Sequence, residues 1–395
     1  MGGLRGWVSV PAPLTGRRWE QAVEEVRRAV SEQGRGARRV FQGPAEDLAI
    51  AAELHGVEGW VRRAVGPGNP GIDRAVHAAL SRHQRALVDL QVAAGALDRA
   101  GVGFLVVKGP ALLATCYSAA DLRSYVDLDV LVEPAAVAGS VSALEGAGFR
   151  VIDVNWPMLT AARVHELRLI SPTGGALDLH WALADDSSGQ HCPPARTLIA
   201  RGVQADIGAT RVRTLSPADT VTHLGVHAAG SGGHRLIWLA DIRAALARAE
   251  GDIHSGVVTQ VIDEWQARPA LALILARAHR ILGWQIPPEL EGLVHPGAWT
   301  AFVGLADRLS PPELTGTAGS VSRLAARSCR ATPRQSLRAA VHKSWSWWRG
   351  SRRGPMTPEE LLNPDDPTSS LHAAGGPGAA EAFYARVAAT WPVSG

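Results

Sequence analysis

Between Phe104 and Val132 the sequence reads FLVVKGPALLATCYSAADLRSYVDLDVLV. An apolar run leads into a Lys-Gly-Pro turn and a small helix, and the chain returns as a second apolar run carrying two acids one residue apart. In a strand, residues i and i+2 project to the same face. Asp127 and Asp129 are therefore expected side by side, with Val126, Leu128 and Val130 facing a core. At the ordinary strand rise their Cα atoms lie roughly 6.6 Å apart. Two aligned carboxylates with no cation repel each other and resist ionisation. A hard, oxygen-liking ion such as Mg²⁺ relieves that conflict, and carboxylates so spaced reach a pair of ions about 3.5–4 Å apart.

A third acid, Asp178, alternates with Leu177 and Leu179 in ALDLHW. It is expected to point from a neighbouring strand toward the same edge, to complete a metal site and to take a proton from an attacking hydroxyl. The residues alone leave two readings of DLD open: the solvent side of an edge strand, or the polar face of an inner one. The apolar flanks favour the inner strand, where a polar face needs a reason to exist.

Lys108-Gly109-Pro110 sits between strand and helix. Glycine there lets backbone approach a ligand, and proline is pre-set for the first helical position. Amides at such a helix start bind phosphate, although an ordinary strand-to-helix turn has the same composition. Neither GxxxxGK[ST] nor GxGxxG occurs, which removes support for a P-loop or a dinucleotide fold. The chain has 40 basic residues, of which only Lys108 and Lys343 are lysine. Against that arginine bias a lysine is a specific choice, because an ammonium is a compact point charge. Arg123, four residues before Asp127, is a further phosphate-contact candidate.

The rest of the chain frames this core. Arg17 to Gln33 gives an amphipathic helix with Trp19, Val23, Val26 and Val30 on one stripe. Pro44 to Val65 reads as a second helix, GPGNPG as a break, and about Ile72 to Arg99 as a long helix. Strands are expected in GVGFLVV, YVDLDVLVE, FRVIDV, VHELRLI and GALDLHWAL, with a hairpin in QADIGATRVRTL. From Pro217 the pattern turns mostly helical. The fold class expected is α/β (α+β), a small mixed sheet flanked by N-terminal helices and a C-terminal helical domain. The divisions expected are 1–95, 96–214, 215–322 and 323–395, the last a basic, tryptophan-containing stretch and tail.

These features resemble the polymerase-β-type nucleotidyltransferase superfamily, in particular its uncharacterised bacterial branch. The resemblance rests on Lys108-Gly109, Arg123, Asp127-Leu128-Asp129-Val130-Leu131-Val132 and Leu177-Asp178-Leu179-His180-Trp181, and extends to His227, Trp238 and Asp241. It covers about residues 75–250. It implies transfer of a nucleoside monophosphate (NMP) from a nucleoside triphosphate (NTP) to a hydroxyl-type acceptor, with pyrophosphate leaving and two Mg²⁺ or Mn²⁺ ions in the site. Asp127, Asp129 and Asp178 would be the catalytic and metal-holding residues, with Lys108, Gly109, Arg123 and His180 on the nucleotide. The acceptor classes left open are a small molecule, a peptide natural product, a protein and an RNA end. The turn departs from the wider superfamily, which carries Gly-Ser or Gly-Gly where Pro110 stands. That departure keeps open an alternative, a catalytically degenerate nucleotide- or partner-binding protein of the same fold in a biosynthetic pathway.

Other features narrow the function less. His223 and His227 are four apart on an expected helix and His234 follows, a spacing that permits a metal pair but lacks the glutamate of HExxH. His165 and His180 lie on strands near the acids and are candidate nucleotide or acceptor contacts. Trp345, Trp347 and Trp348 sit in a basic stretch, open to base stacking, to a membrane surface or to plain docking. A net charge of +3 on 395 residues argues against general nucleic-acid binding. Three scattered cysteines exclude a disulfide scaffold. No apolar run is long enough for a bilayer and the start lacks an apolar signal core, so the expectation is a cytoplasmic protein without a membrane partner.

Overall fold

The structure is a computed structural model that describes residues 16–32, 41, 43–184, 191–294, 297–314, 320–351 and 369–390. Helices α1 (Arg17–Ser31), α2 (Ala45–His55), α3 (Glu58–Val65) and α4 (Pro70–Arg99) precede the sheet. On α1 the expected stripe is buried, with Trp19, Val23, Val26 and Val30 at 6% exposure or less. The single helix expected from Pro44 to Val65 is two. Gly56 takes a left-handed φ of 69° and closes α2, a conformation open to glycine at little cost. Helix α4 begins as its sequence dictates: Asn69 accepts a hydrogen bond from the Ile72 amide and Pro70 fills the first position.

Seven strands form one mixed sheet: β1 (Phe104–Val106), β2 (Asp127–Val132), β3 (Arg150–Val151), β4 (Glu166–Ile170), β5 (Ala176–His180), β6 (Val203–Ile207) and β7 (Thr210–Thr214). Their order is β3-β4-β5-β2-β1-β7-β6, so β2 is an inner strand. It pairs parallel with β5 and antiparallel with β1. The third expected strand, FRVIDV, shortens to Arg150–Val151. Between these strands lie α5 (Pro110–Cys116), α6 (Val137–Gly146), α7 (Trp156–Ala162) and α8 (Ala195–Arg201).

The period of two assigns each side of the sheet a task. Leu128, Val130, Val132, Leu177 and Leu179 join Leu90 and Leu97 of α4 and Val141 and Leu144 of α6 in one apolar cluster. Leu90 and Leu97 are fully buried, and each contributes about 1.5–3 kcal/mol by leaving water. Val126 is the exception to the expected pattern. It stands one residue before the β2 ladder begins and is 46% exposed. The opposite face contributes Leu105, Val107 and Leu131 to a second cluster. That cluster is built with the N-terminal helices and with α9 (Pro217–Gly230), α10 (Leu236–Arg248), α11 (Glu250–His254), α12 (Val257–Glu264) and α13 (Arg268–Leu282). Asp127, Asp129 and Asp178 share parity with this second face. The acids therefore look into a layer roofed by helices, not into open solvent.

Candidate active site

Strand register brings Asp129 and Asp178 together, while Asp127 stands opposite Ala176 and joins no ligand group among the described residues. On parallel strands β2 and β5, Asp129 stands directly opposite Asp178, and Leu131 opposite His180. On β4, Glu166 stands opposite His180. Asp129 is 1% exposed, His180 6% and Asp178 9%. Asp129 Oδ1 accepts a charged contact from Lys108 Nζ at 2.9 Å and lies 3.0 Å from His180 Nε2. The other ring nitrogen, His180 Nδ1, lies 3.1 Å from Glu166 Oε2. Glu166 was not foreseen from the sequence. Its place follows from the β4–β5 hairpin register, which the turn SPTGG sets.

The electrostatics follow from this packing. Burial raises the Asp178 pKa, and repulsion from Asp127, Glu166 and Asp129 adds to it, holding the value well above the usual carboxylate range. Burial, followed by the Asp129 charge, also raises Asp127. At Asp129 burial pulls the same way, but Lys108 and His180 outweigh it and hold the carboxyl below its ordinary value. At His180 burial opposes the charge, yet Glu166 and Asp129 lift its pKa to about 10. Lys108 is raised too, its burial outweighed by Asp129 and Asp127.

The donor set was tested against a divalent cation. Asp129 Oδ2 and Asp178 Oδ1 are buried, with no hydrogen-bond partner among the described residues. An unsatisfied buried acceptor costs about 1–3 kcal/mol, and more when charged. Asp129, Asp178 and His180 each offer an atom within 4.8 Å of the others, as do His165, Glu166 and His180. The carboxylate oxygens suit Mg²⁺ or Mn²⁺, so the residues present fit the group. His223 and His227 join no ligand group among the described residues. Their rings lie 6.0 Å apart on α9. His223 is 3% exposed with neither ring nitrogen bonded, and burial, then Lys108, keep it neutral. His234 packs edge-on to Trp238.

The other expected nucleotide residues are placed as follows. Gly109 has φ 47°, and a Cβ there would come 3.0 Å from the Asp127 carbonyl oxygen and 3.2 Å from the Tyr125 ring. The turn thus needs glycine in order to close against β2. Arg123 is buried and gives its Nε to Asp241 Oδ1 at 2.8 Å, where the Tyr117 hydroxyl also donates at 2.6 Å. Arg123 reaches the Gly109 carbonyl at 3.5 Å. It stands behind the turn as a brace. The side chains of Trp345, Trp347 and Trp348 lie outside the described residues.

The sequence profile of the uncharacterised nucleotidyltransferase family matches residues 52–283, more than half of the chain and the whole of this site. The chain belongs to that family. Membership makes it a nucleotidyltransferase by descent and implies a nucleoside triphosphate and divalent metal at the site. No curated protein matches the chain. No helix among the described residues is long and apolar enough to cross a membrane.

Proposed function

We propose that the chain moves a nucleoside monophosphate from an NTP to an acceptor hydroxyl, with Asp127, Asp129 and Asp178 as its catalytic and metal-holding residues. The observation that carries this reading is the Asp129–Asp178 register, which aims two buried, unpartnered carboxylate oxygens at one space. Divalent metal, when bound there, orients the triphosphate and stabilises charge on the transferring phosphorus and the leaving pyrophosphate.

The chain's own groups do the rest. Asp178, whose raised pKa makes it a better base, takes the acceptor's proton. The acceptor oxygen bonds to the α-phosphorus, and the α–β phosphoanhydride bond breaks with its electron pair going to pyrophosphate. The Gly109 turn, braced by Arg123, presents backbone to the phosphates. His180 and Lys108 hold Asp129 ionised and oriented. The helical roof excludes water from the site, which strengthens each of these charge interactions.

The test is the melting temperature with and without each NTP and Mg²⁺, followed by pyrophosphate release across a panel of hydroxyl acceptors. Nucleotide-dependent and metal-dependent stabilisation, lost in Asp129→Asn, is expected. No response to any NTP would sink the proposal. A second reading, nucleotide binding without transfer, draws on Pro110, which lacks the amide hydrogen a phosphate would use. It predicts stabilisation by nucleotide with no pyrophosphate release from any acceptor.

A further inference from the structure

We propose that Lys108 is a built-in cation occupying one of the two positions the carboxylates would otherwise give to metal, so that the site holds a single divalent ion. This rests on the reading of the preceding subsection and departs from the two-ion arrangement expected from the sequence.

Asp129 Oδ1 already has two charged donors, Lys108 Nζ at 2.9 Å and His180 Nε2 at 3.0 Å. It has no lone pair left for an ion, so Asp129 can ligate only through Oδ2 and cannot bridge a pair of ions with both oxygens. His180 does not supply the missing ligand. Its two ring nitrogens are already turned to carboxylates, Nε2 to Asp129 Oδ1 at 3.0 Å and Nδ1 to Glu166 Oε2 at 3.1 Å, and not to the unpartnered oxygens. The atoms that remain are Asp129 Oδ2 and Asp178 Oδ1; Asp127, two residues back along β2, is outside the group whose ligand atoms lie within 4.8 Å of one another. That set suits one Mg²⁺, which takes one or two carboxylates and keeps several waters.

Lys108 is not free to step aside. Its side chain is 14% exposed. Its backbone is held between β1 and the tight Gly109 turn, whose glycine closes on the Asp127 carbonyl. An ammonium withdrawn from Asp129 would be a buried charge without its partner, which is costly. The residue type fits the task. In a chain with 38 arginines and two lysines, this position has the side chain whose charge is closest in compactness to a metal ion.

The experiment is Mn²⁺ titration of the full chain with a non-hydrolysable α,β-methylene NTP, followed by electron paramagnetic resonance. One Mn²⁺ per nucleotide-bound chain is expected, with no spin coupling between neighbouring ions. Lys108→Met is expected to take up a second Mn²⁺ and show coupling, and Lys108→Arg to stay at one. Two coupled ions in the wild-type complex would overturn the inference and leave the functional reading standing. That measurement needs no variant, so a Lys108→Met chain that fails to fold does not protect the idea. A folded Lys108→Met chain that still binds one ion overturns it as well. A wild-type chain that binds neither nucleotide nor Mn²⁺ removes both the inference and the reading.

Discussion

Two buried constellations of opposite charge lie in different parts of this molecule, and they are finished differently. In the helical part, Arg277 and Asp307 are 1% and 2% exposed. Arg277 donates Nε to Asp307 Oδ2 and one terminal nitrogen to Asp307 Oδ1, each at 2.7 Å, and its other terminal nitrogen to the Gly232 carbonyl, also at 2.7 Å. Ser322 adds its hydroxyl to Asp307 Oδ1. Both Asp307 oxygens are engaged. On the sheet, Asp129, His180 and Asp178 are buried too, at 1%, 6% and 9%, yet one oxygen of each aspartate has no hydrogen-bond partner among the described residues. The Arg277 pair is satisfied within the chain, as a buried charge requires. The sheet site leaves atoms over, as does Asp241 in the Arg123 brace, whose Oδ2 is unpartnered as well.

The sharpest way to break that contrast is Asp178→Asn. Transfer should fall at least about 100-fold, since ligand and base roles together supply several kcal/mol. The melting temperature without metal should stay level or rise, because the variant removes repulsion from Asp127, Glu166 and Asp129. A clear drop in stability, measured by urea unfolding, would place Asp178 with the structural pairs instead. Asp307→Ala should do the reverse. It strands the Arg277 guanidinium and should cost about 3–5 kcal/mol in urea unfolding, while the nucleotide affinity of the folded fraction stays unchanged.

The pH dependence separates the two kinds of environment by sign. His55 and His223 are held neutral by burial, with Arg235 adding to it at His55 and Lys108 at His223, and His55 is brought down to about 3. The unfolded chain protonates them near 6.5, so stability should fall as pH drops from about 6.5 toward 3, by up to about 1.4 kcal/mol per pH unit for each. His180 contributes with the opposite sign. Its folded pKa is raised to about 10, so its contribution is complete below about 6.5 and disappears as pH rises toward 10. Thermal melts of metal-free His180→Gln should lose that alkaline slope and keep the acid one. The smallest effect is expected on the surface. Arg268 pairs with Asp263, both half exposed, and Arg268→Ala should change stability by less than about 0.5 kcal/mol.

What could be read in advance follows the range of the interactions. The common face of Asp127 and Asp129, and the place of Asp178 beside them, were legible because period-two alternation is local and the flanks are apolar. The break at Gly56 was not, because the apolar pattern runs through it and only the backbone shows the positive φ. Glu166 was missed because nothing within VHELRLI marks it out; the hairpin register is what sets it against His180. The pairing of Arg123 with Asp241, 118 positions away, was not legible, because nothing near Arg123 in sequence announces that partner. The i, i+4 spacing of His223 and His227 permitted a metal pair without deciding for one; the fold sets both buried rings within the field of Lys108 and Asp129, in no ligand group among the described residues.

The parallel pairing of β2 with β5 has one more consequence. Parallel neighbours cannot be joined by a hairpin, so the chain passes through α6, β3, α7 and β4 between Asp129 and Asp178. Contacts of such separation close late in folding. A nascent chain, or one cut within that crossover, has two of the three acids and nothing to use them on. The proposed site therefore exists only in a chain in which β5 has joined the sheet beside β2.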